Sequence, residues 1–290
     1  MKLEYKTNYT ITEKEQITSI GPEGSGCDVE IPDGENIIYS STFNYCSNLK
    51  NVELPKSIKE INISAFRKCI SLKTVKLPSS IDYIGAKAFY ECNSLKVINL
   101  PNSILEIGLE AFGCCSSLEK IVLPDNLKTI PTKMFYNCKS LKEITLSKSL
   151  ERMDEFAFDG CAFKSITLPN SIIELGRNIF FNCESLEKLE IPSSVKIISD
   201  SICGYCPNLE EIKINAKYKL PKHLLYECNN LKKVYITKES FDLSPDFIEM
   251  YKNELEIEIM NKSLDELLDE GKSLKEISNI YKNNKEAGIR

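Results

Sequence analysis

Two cysteines three residues apart, Cys203 and Cys206, have the type and spacing that most resemble working chemistry in this 290-residue chain. A C-x-x-C pair can supply half of a tetrahedral zinc site, or a dithiol that exchanges disulfides once one thiol is made acidic. Zinc needs a second pair of cysteine or histidine ligands at matched spacing, and the sequence offers none. The lone histidine, His223, is the other candidate. A Ser/His/Asp or Cys/His site requires partners that converge on the imidazole, and no unusual cluster accompanies it. His223 is therefore expected on an exposed turn between Pro221 and Leu225. No glycine-rich phosphate loop follows a strand, so nucleotide binding has no support. These observations point away from an enzyme and imply no cofactor, with a metal or redox protein using Cys203 and Cys206 as the alternative.

Stepping outward from Cys206 shows what positions it. Cysteines at 46, 69, 92, 115, 138, 161, 183, 206 and 228 share one slot of a repeat, and Cys203 merely takes a slot that phenylalanine fills elsewhere. The repeat is set by Leu49, Leu72, Leu95, Leu118, Leu141, Phe163, Leu186, Leu209 and Leu231, at intervals of 23 residues that shorten to 22 before Phe163 and before Leu231. Units this short cannot bury their apolar residues alone and must stack. The cysteine column is then a row of buried, reduced thiols acting as small hydrophobes. Neighbouring coils would hold them ~5 Å apart, but parallel side-chain vectors suit a disulfide poorly. Cys114, beside Cys115 and outside the column, is the thiol expected to be exposed.

Each repeat has three parts. In Leu95, Ile98, Leu100 and Pro101 the apolar alternation has the two-residue period of a strand, and stacked coils would align these strands into one parallel sheet. Proline at 55, 78, 101, 124, 169 and 192 ends the strand, because it offers no amide to a ladder. A second, weaker strand on the opposite wall is read from Ser103, Ile104 and Ile107, with a bend of unusual φ expected at Gly85, Gly108 and Gly176. The last part, as in Ala111, Phe112 and Cys115, is too short for more than a turn of helix. Phenylalanine at 43, 66, 89, 112, 135, 158 and 180 predicts a stacked aromatic column.

The consensus L-x-x-I-x-L-P-x-S-I-x-x-I-G-x-x-A-F-x-x-C resembles the BspA-like leucine-rich repeat family, also called the Treponema-type repeat, over roughly residues 26–236. The resemblance implies a mostly β, right-handed leucine-rich repeat solenoid with one main parallel sheet, short second-wall strands, short helical turns and a small helical C-terminal cap. It also implies a non-enzymatic, surface-displayed protein engaged in adhesion or protein recognition.

Three regions follow: an N-terminal cap over 1–25, a solenoid of nine to ten repeats over 26–236, and a C-terminal cap over 237–290. Gly26 stands in the leucine slot of a degenerate first repeat, with Val29, Ile31 and Pro32 in the strand positions. Ser244 and Pro245 mark the start of a short helix through Phe247, Ile248 and Tyr251, and Leu255, Ile257 and Ile259 alternate with glutamates as a closing strand. Ser263 with Glu266 and Ser273 with Glu276 read as capping boxes separated by Gly271. Part of the tail, LLDEGKSLKEISNIYK, resembles the opening of a helix-turn-helix, a weaker DNA-associated alternative. Residues 239–270, however, hold eleven Asp/Glu against two Lys.

A net charge of -5 argues against nucleic acid or anionic lipid as a partner. The first residues lack an apolar signal core and no run approaches a bilayer span. The expected location is cytoplasmic, with the cell surface as the alternative that the resemblance implies, and the expected state is a monomer without membrane insertion.

Outward strand positions are the expected surface for a protein partner: Thr74, Lys76, Val97, Asn99, Lys120, Val122, Lys188, Glu190, Glu211, Lys213, Lys233 and Tyr235. Alternating signs along Lys188, Glu211 and Lys233, and between Glu190 and Lys213, would also stabilise neighbouring strands without any ligand.

Overall fold

The computed structural model describes residues 28–31 and 33–260, which wind into about ten stacked coils with three walls. The expected cap over 1–25, Gly26, Pro32, and the tail with its capping boxes and helix-turn-helix resemblance lie outside the described residues.

The first wall consists of short parallel strands such as Asn51–Glu53, Thr74–Lys76, Val97–Asn99 and Lys120–Val122. Their middle residues, Val52, Val75, Ile98 and Ile121, point inward and are buried, and the flanking ones are exposed. Register follows the repeat length: Val97 faces Lys120, Ile98 faces Ile121 and Asn99 faces Val122. The strands join in three hydrogen-bonded groups, with breaks between 74–76 and 97–99 and between 143–145 and 165–166. The second wall carries two-residue strands such as Tyr83–Ile84 and Glu106–Ile107, also parallel.

The third wall departs from a helical turn. Every described coil but the last, which has only Glu227, places left-handed residues just before the alanine slot and just before the cysteine, for example Lys87 at φ 56° and Glu91 at φ 59°. Each costs on the order of 1 kcal/mol in a non-glycine residue. A regular ladder offsets that cost: the amides of Lys87, Phe89 and Glu91 donate to the carbonyls of Leu109, Ala111 and Gly113 in the next coil, at 2.9, 2.8 and 2.8 Å. A helical turn would keep those amides within its own coil, whereas a stack needs them between coils.

Gly85, Gly108 and Gly176 correct a second expectation, because none of them has positive φ. Their role is close approach. A Cβ on Gly108 would lie 2.3 Å from the Ala86 amide nitrogen, so only hydrogen fits where one coil crosses the backbone of the preceding one.

Inside, Phe43, Phe66, Phe89, Phe112, Phe135, Phe158 and Phe180 stack face to face with centroids 4.9–5.9 Å apart. Phe163, in the leucine slot of a shortened repeat, meets Phe158 and Phe180 edge-on. Beside this column the cysteines from Cys69 to Cys228 form a thiol ladder, each donating to a backbone carbonyl of the preceding coil: Cys92 Sγ to Phe66 O at 3.1 Å, Cys115 Sγ to Phe89 O at 3.1 Å. A thiol fills core volume and still supplies one weak donor.

At the C-terminal end, α1 (Lys238–Leu243) precedes the anticipated short helix, α2 (Pro245–Tyr251). Pro245 occupies its first turn, while the Ser244 hydroxyl accepts the Leu220 amide at 2.8 Å instead of capping the helix. α2 buries Phe247 and Tyr251, and the strand Glu256–Met260 adds to Lys233–Thr237 in parallel register.

Candidate functional site

The cysteine pair and the histidine are the first candidates to place. Cys203 and Cys206 are both fully buried. Burial pushes the Cys203 thiol well above its ordinary range, and a hydrogen bond with Cys228, followed by burial, does the same to Cys206. An acidic, accessible thiol is what exchange chemistry requires, and neither provides it. Among the described residues no group of three or more His, Cys, Asp or Glu side chains could hold a metal ion. His223 lies exposed on the third wall. Cys114 is half-buried, with Sγ 3.6 Å from the Tyr90 hydroxyl.

The outward face of the first wall does bring the expected partner-binding residues into adjacent columns. Repetition is the cause, since positions 22 or 23 residues apart become neighbours across ~4.8 Å. Much of the face is satisfied internally. Thr74 donates to Asn51 Oδ1 at 2.7 Å, Lys76 pairs with Glu53 at 3.0 Å, and Lys120 with Glu143 at 2.8 Å. Further along, Lys188 pairs with Glu211 at 3.4 Å and Lys213 with Glu190 at 3.5 Å. Lys233 turns from Glu211 toward Glu256 and Glu258 on the closing strand, at 3.2 and 3.0 Å. Exposed pairs of this kind contribute about 0–1 kcal/mol each. Tyr235 is half-buried beside them, and burial raises its hydroxyl pKa.

The ladder is interrupted at Val97–Asn99. Val97 and Val122 are each 49% exposed and lie diagonally across adjacent strands, with Asn99 opposite Val122. Val97, Asn99 and Val122 form an uncharged patch bordered on one side by the Glu53–Lys76 pair and on the other by Lys120, which lies opposite Val97 and pairs with Glu143.

Sequence reasoning passed over the outer surface of the third wall, where aromatic side chains recur. Arg67 lies 5.4 Å from the Tyr45 ring and 5.7 Å from Tyr90, Lys68 5.0 Å from Tyr45, and Lys133 5.5 Å from Tyr136. The signal was available in the residues flanking each core phenylalanine, but their outward direction depends on the left-handed turns.

The BspA type leucine rich repeat region profile matches residues 27–142 and 128–253, in six copies. The chain is similar to a leucine rich repeat protein of T. pallidum, at 30% identity over 57% of this chain and 79% of that one, TM-score 0.52. It is also similar to the pneumococcal vaccine antigen PcpA, at 22% identity over 78% of this chain and 71% of that one, TM-score 0.50. A leucine-rich repeat protein from Eubacterium ventriosum aligns at 19% identity over 80% of this chain and 72% of that one, TM-score 0.50. The last two likenesses concern the fold alone. No curated protein matches the chain in sequence.

Proposed function

We propose that this chain, which belongs to the BspA type leucine rich repeat family, is a non-catalytic scaffold that binds a protein partner through the outward face of its first wall. The observation that supports this reading is the Val97 and Val122 patch. Interface cores are depleted in charge and ringed by polar groups, and here exposed uncharged side chains are bordered by charges already paired within the face. The flanking pairs need no partner for their own satisfaction, so they contribute specificity and register more than strength. Ten strand spacings of ~4.8 Å extend about 48 Å, enough for an interface of standard size. The setting we propose is adhesion at the cell surface, which family membership favours over the cytoplasm.

The experiment is a double substitution, Val97→Glu with Val122→Glu, in the full chain. Both side chains point away from the core, so the melting curve should stay within a few degrees of the parent. A partner retained by the parent from surface extracts of its native cells should be lost by the variant. Retention of the same partner by the variant would remove the first wall from the reading, and failure to label the protein on intact cells would remove the surface setting.

A further inference from the structure

The third wall closes near its C-terminal end in a groove of about 400 Å³. Its aromatic walls are Phe181, Tyr205 and Tyr226, packed edge to face with centroids 5.1 and 5.5 Å apart. Tyr205 is 44% exposed and Tyr226 42%. Gly204 lets the groove form: a Cβ there would lie 2.8 Å from the Phe181 ring, so the ring of one coil lies across the bare backbone of the next. Arg177, Asn178, Asp200, Ser201 and His223 complete the lining.

Three polar groups in this lining lack what their counterparts elsewhere possess. Asn178 is only 7% exposed, and its Oδ1 has no hydrogen-bond partner among the described residues. A buried acceptor left unpaired costs about 1–3 kcal/mol and marks a place where a donor is missing. Arg177 and Asp200 form no ion pair among the described residues, on a surface where lysines such as Lys96, Lys128 and Lys164 reach a glutamate in the neighbouring coil. Asn178 also occupies the left-handed slot that holds Ser64, Lys87, Glu110, Lys133 and Phe156 in earlier coils. Those lysines cover aromatic rings of their own wall, Lys87 over Tyr90 and Lys133 over Tyr136 and Phe156. At Asn178 and Ser201 the slot holds no lysine, and no cation of the described residues covers Phe181, Tyr205 or Tyr226.

An occupant that fits this lining offers an apolar face to the tyrosine rings, donates to Asp200, accepts from Arg177, and exchanges hydrogen bonds with the polar edges of Asn178, Ser201 and His223 that reach the groove. A charged ligand meets opposition from one side: an anion faces Asp200, and a cation faces Arg177, which can itself fold over the rings. A neutral pyranose meets every requirement. Its axial C–H face packs on an aromatic ring, and vicinal hydroxyls each donate and accept, so one pair can take the guanidinium on one side and the carboxylate on the other. We propose that the groove of Asn178, Phe181, Tyr205 and Tyr226 is a saccharide-binding site for a neutral sugar unit of a glycan, separate from the first-wall surface and independent of it.

The test titrates the full chain with glucose, galactose, mannose and N-acetylglucosamine, and with their β-linked tetramers, following saturation-transfer NMR and tyrosine fluorescence. The chain has thirteen tyrosines and no tryptophan, so emission reports on tyrosine directly. A single sugar unit in so open a site should bind with a dissociation constant on the order of 1 mM, tightening with the tetramer. Tyr205→Ala should weaken binding at least tenfold. Asn178→Gly should do the same, because glycine accepts the φ of 56° and removes the side chain that lines the groove. Tyr45→Ala, at the far end of the wall, should bind as the parent does. The proposal fails if no sugar binds, or if Tyr205→Ala and Asn178→Gly bind as the parent does while their melting curves are unchanged. It also fails if tetra-lysine or tetra-arginine peptide binds with the same dependence on Tyr205, which would assign the groove to a basic side chain of a protein.

Discussion

Removing one ring from the middle of the phenylalanine column should cost more than removing one from its end. Phe112 is fully buried and stacks on Phe89 at 5.4 Å and Phe135 at 5.9 Å, whereas among the described phenylalanines Phe43 stacks only on Phe66, at 4.9 Å. A buried Phe→Ala change costs about 3–5 kcal/mol through lost transfer energy and the cavity left behind. Each stacked pair adds about 0.5–1.5 kcal/mol beyond burial. Phe112→Ala forfeits two such pairs and Phe43→Ala one, so the central variant should be the less stable by on the order of 1 kcal/mol. Position in the array acts in the same direction. In a one-dimensional stack each coil is held by its neighbours, so a weak central coil loosens two interfaces and a weak terminal coil only frays an end. Urea denaturation followed by circular dichroism would measure the difference through the midpoints and slopes. Equal destabilisation, or a larger loss at Phe43, would refute the account of the column as the continuous spine of the fold.

Gly108→Ala should lower the melting temperature far more than Gly113→Ala, because the first Cβ meets the Ala86 backbone and the second meets only the movable Tyr90 ring; equal effects in thermal melts would contradict close approach as the role of Gly108. Burial lifts the Asp159 carboxyl to about 6, with a hydrogen bond from Asn182 and the charge of Lys133 opposing the shift. An unfolded Asp titrates near 4, so the native state holds the extra proton between the two values. The stability this provides is present below about pH 4 and is lost as pH rises through about 6. Asp159→Asn should therefore gain on the order of 2 kcal/mol at pH 7.5 and almost nothing at pH 4, and parallel stability profiles for parent and variant would show the carboxyl to be unperturbed. Among the eleven described cysteines, Cys114 should be labelled by a thiol reagent in the native protein at pH 8, and the ten buried ones only after denaturation. Burial raises even Cys46, near the N-terminal end, to about 11. Native labelling of most of them would be incompatible with the stacked core.

The repeat was legible in the amino-acid sequence because stacking demands the same apolar residue in the same slot of every coil. Leu95, Ile98, Phe112 and Cys115 could be assigned to the core from spacing alone, and the structure buries each of them. The closing strand and the start of α2 at Pro245 were legible for a similar reason, since alternation and proline act locally. The course of the third wall was not. Left-handed conformation at Lys87, Glu110 and Lys133 is imposed by amides reaching the next coil, a demand between coils that no residue type in those slots announces. Glycine was misleading at 85, 108 and 176 because the same residue serves unusual φ and close contact, and only packing distinguishes the two. The surfaces were decided by tertiary structure for one further reason. Whether Lys233 pairs with Glu211 or with Glu258 depends on which strand lies beyond it. Whether Asn178 keeps an unpaired oxygen beside two tyrosines depends on how a shortened repeat brings Tyr226 next to Tyr205. Apolar periodicity determines what goes inside; what the outside can bind is set by which neighbours the stacking brings together.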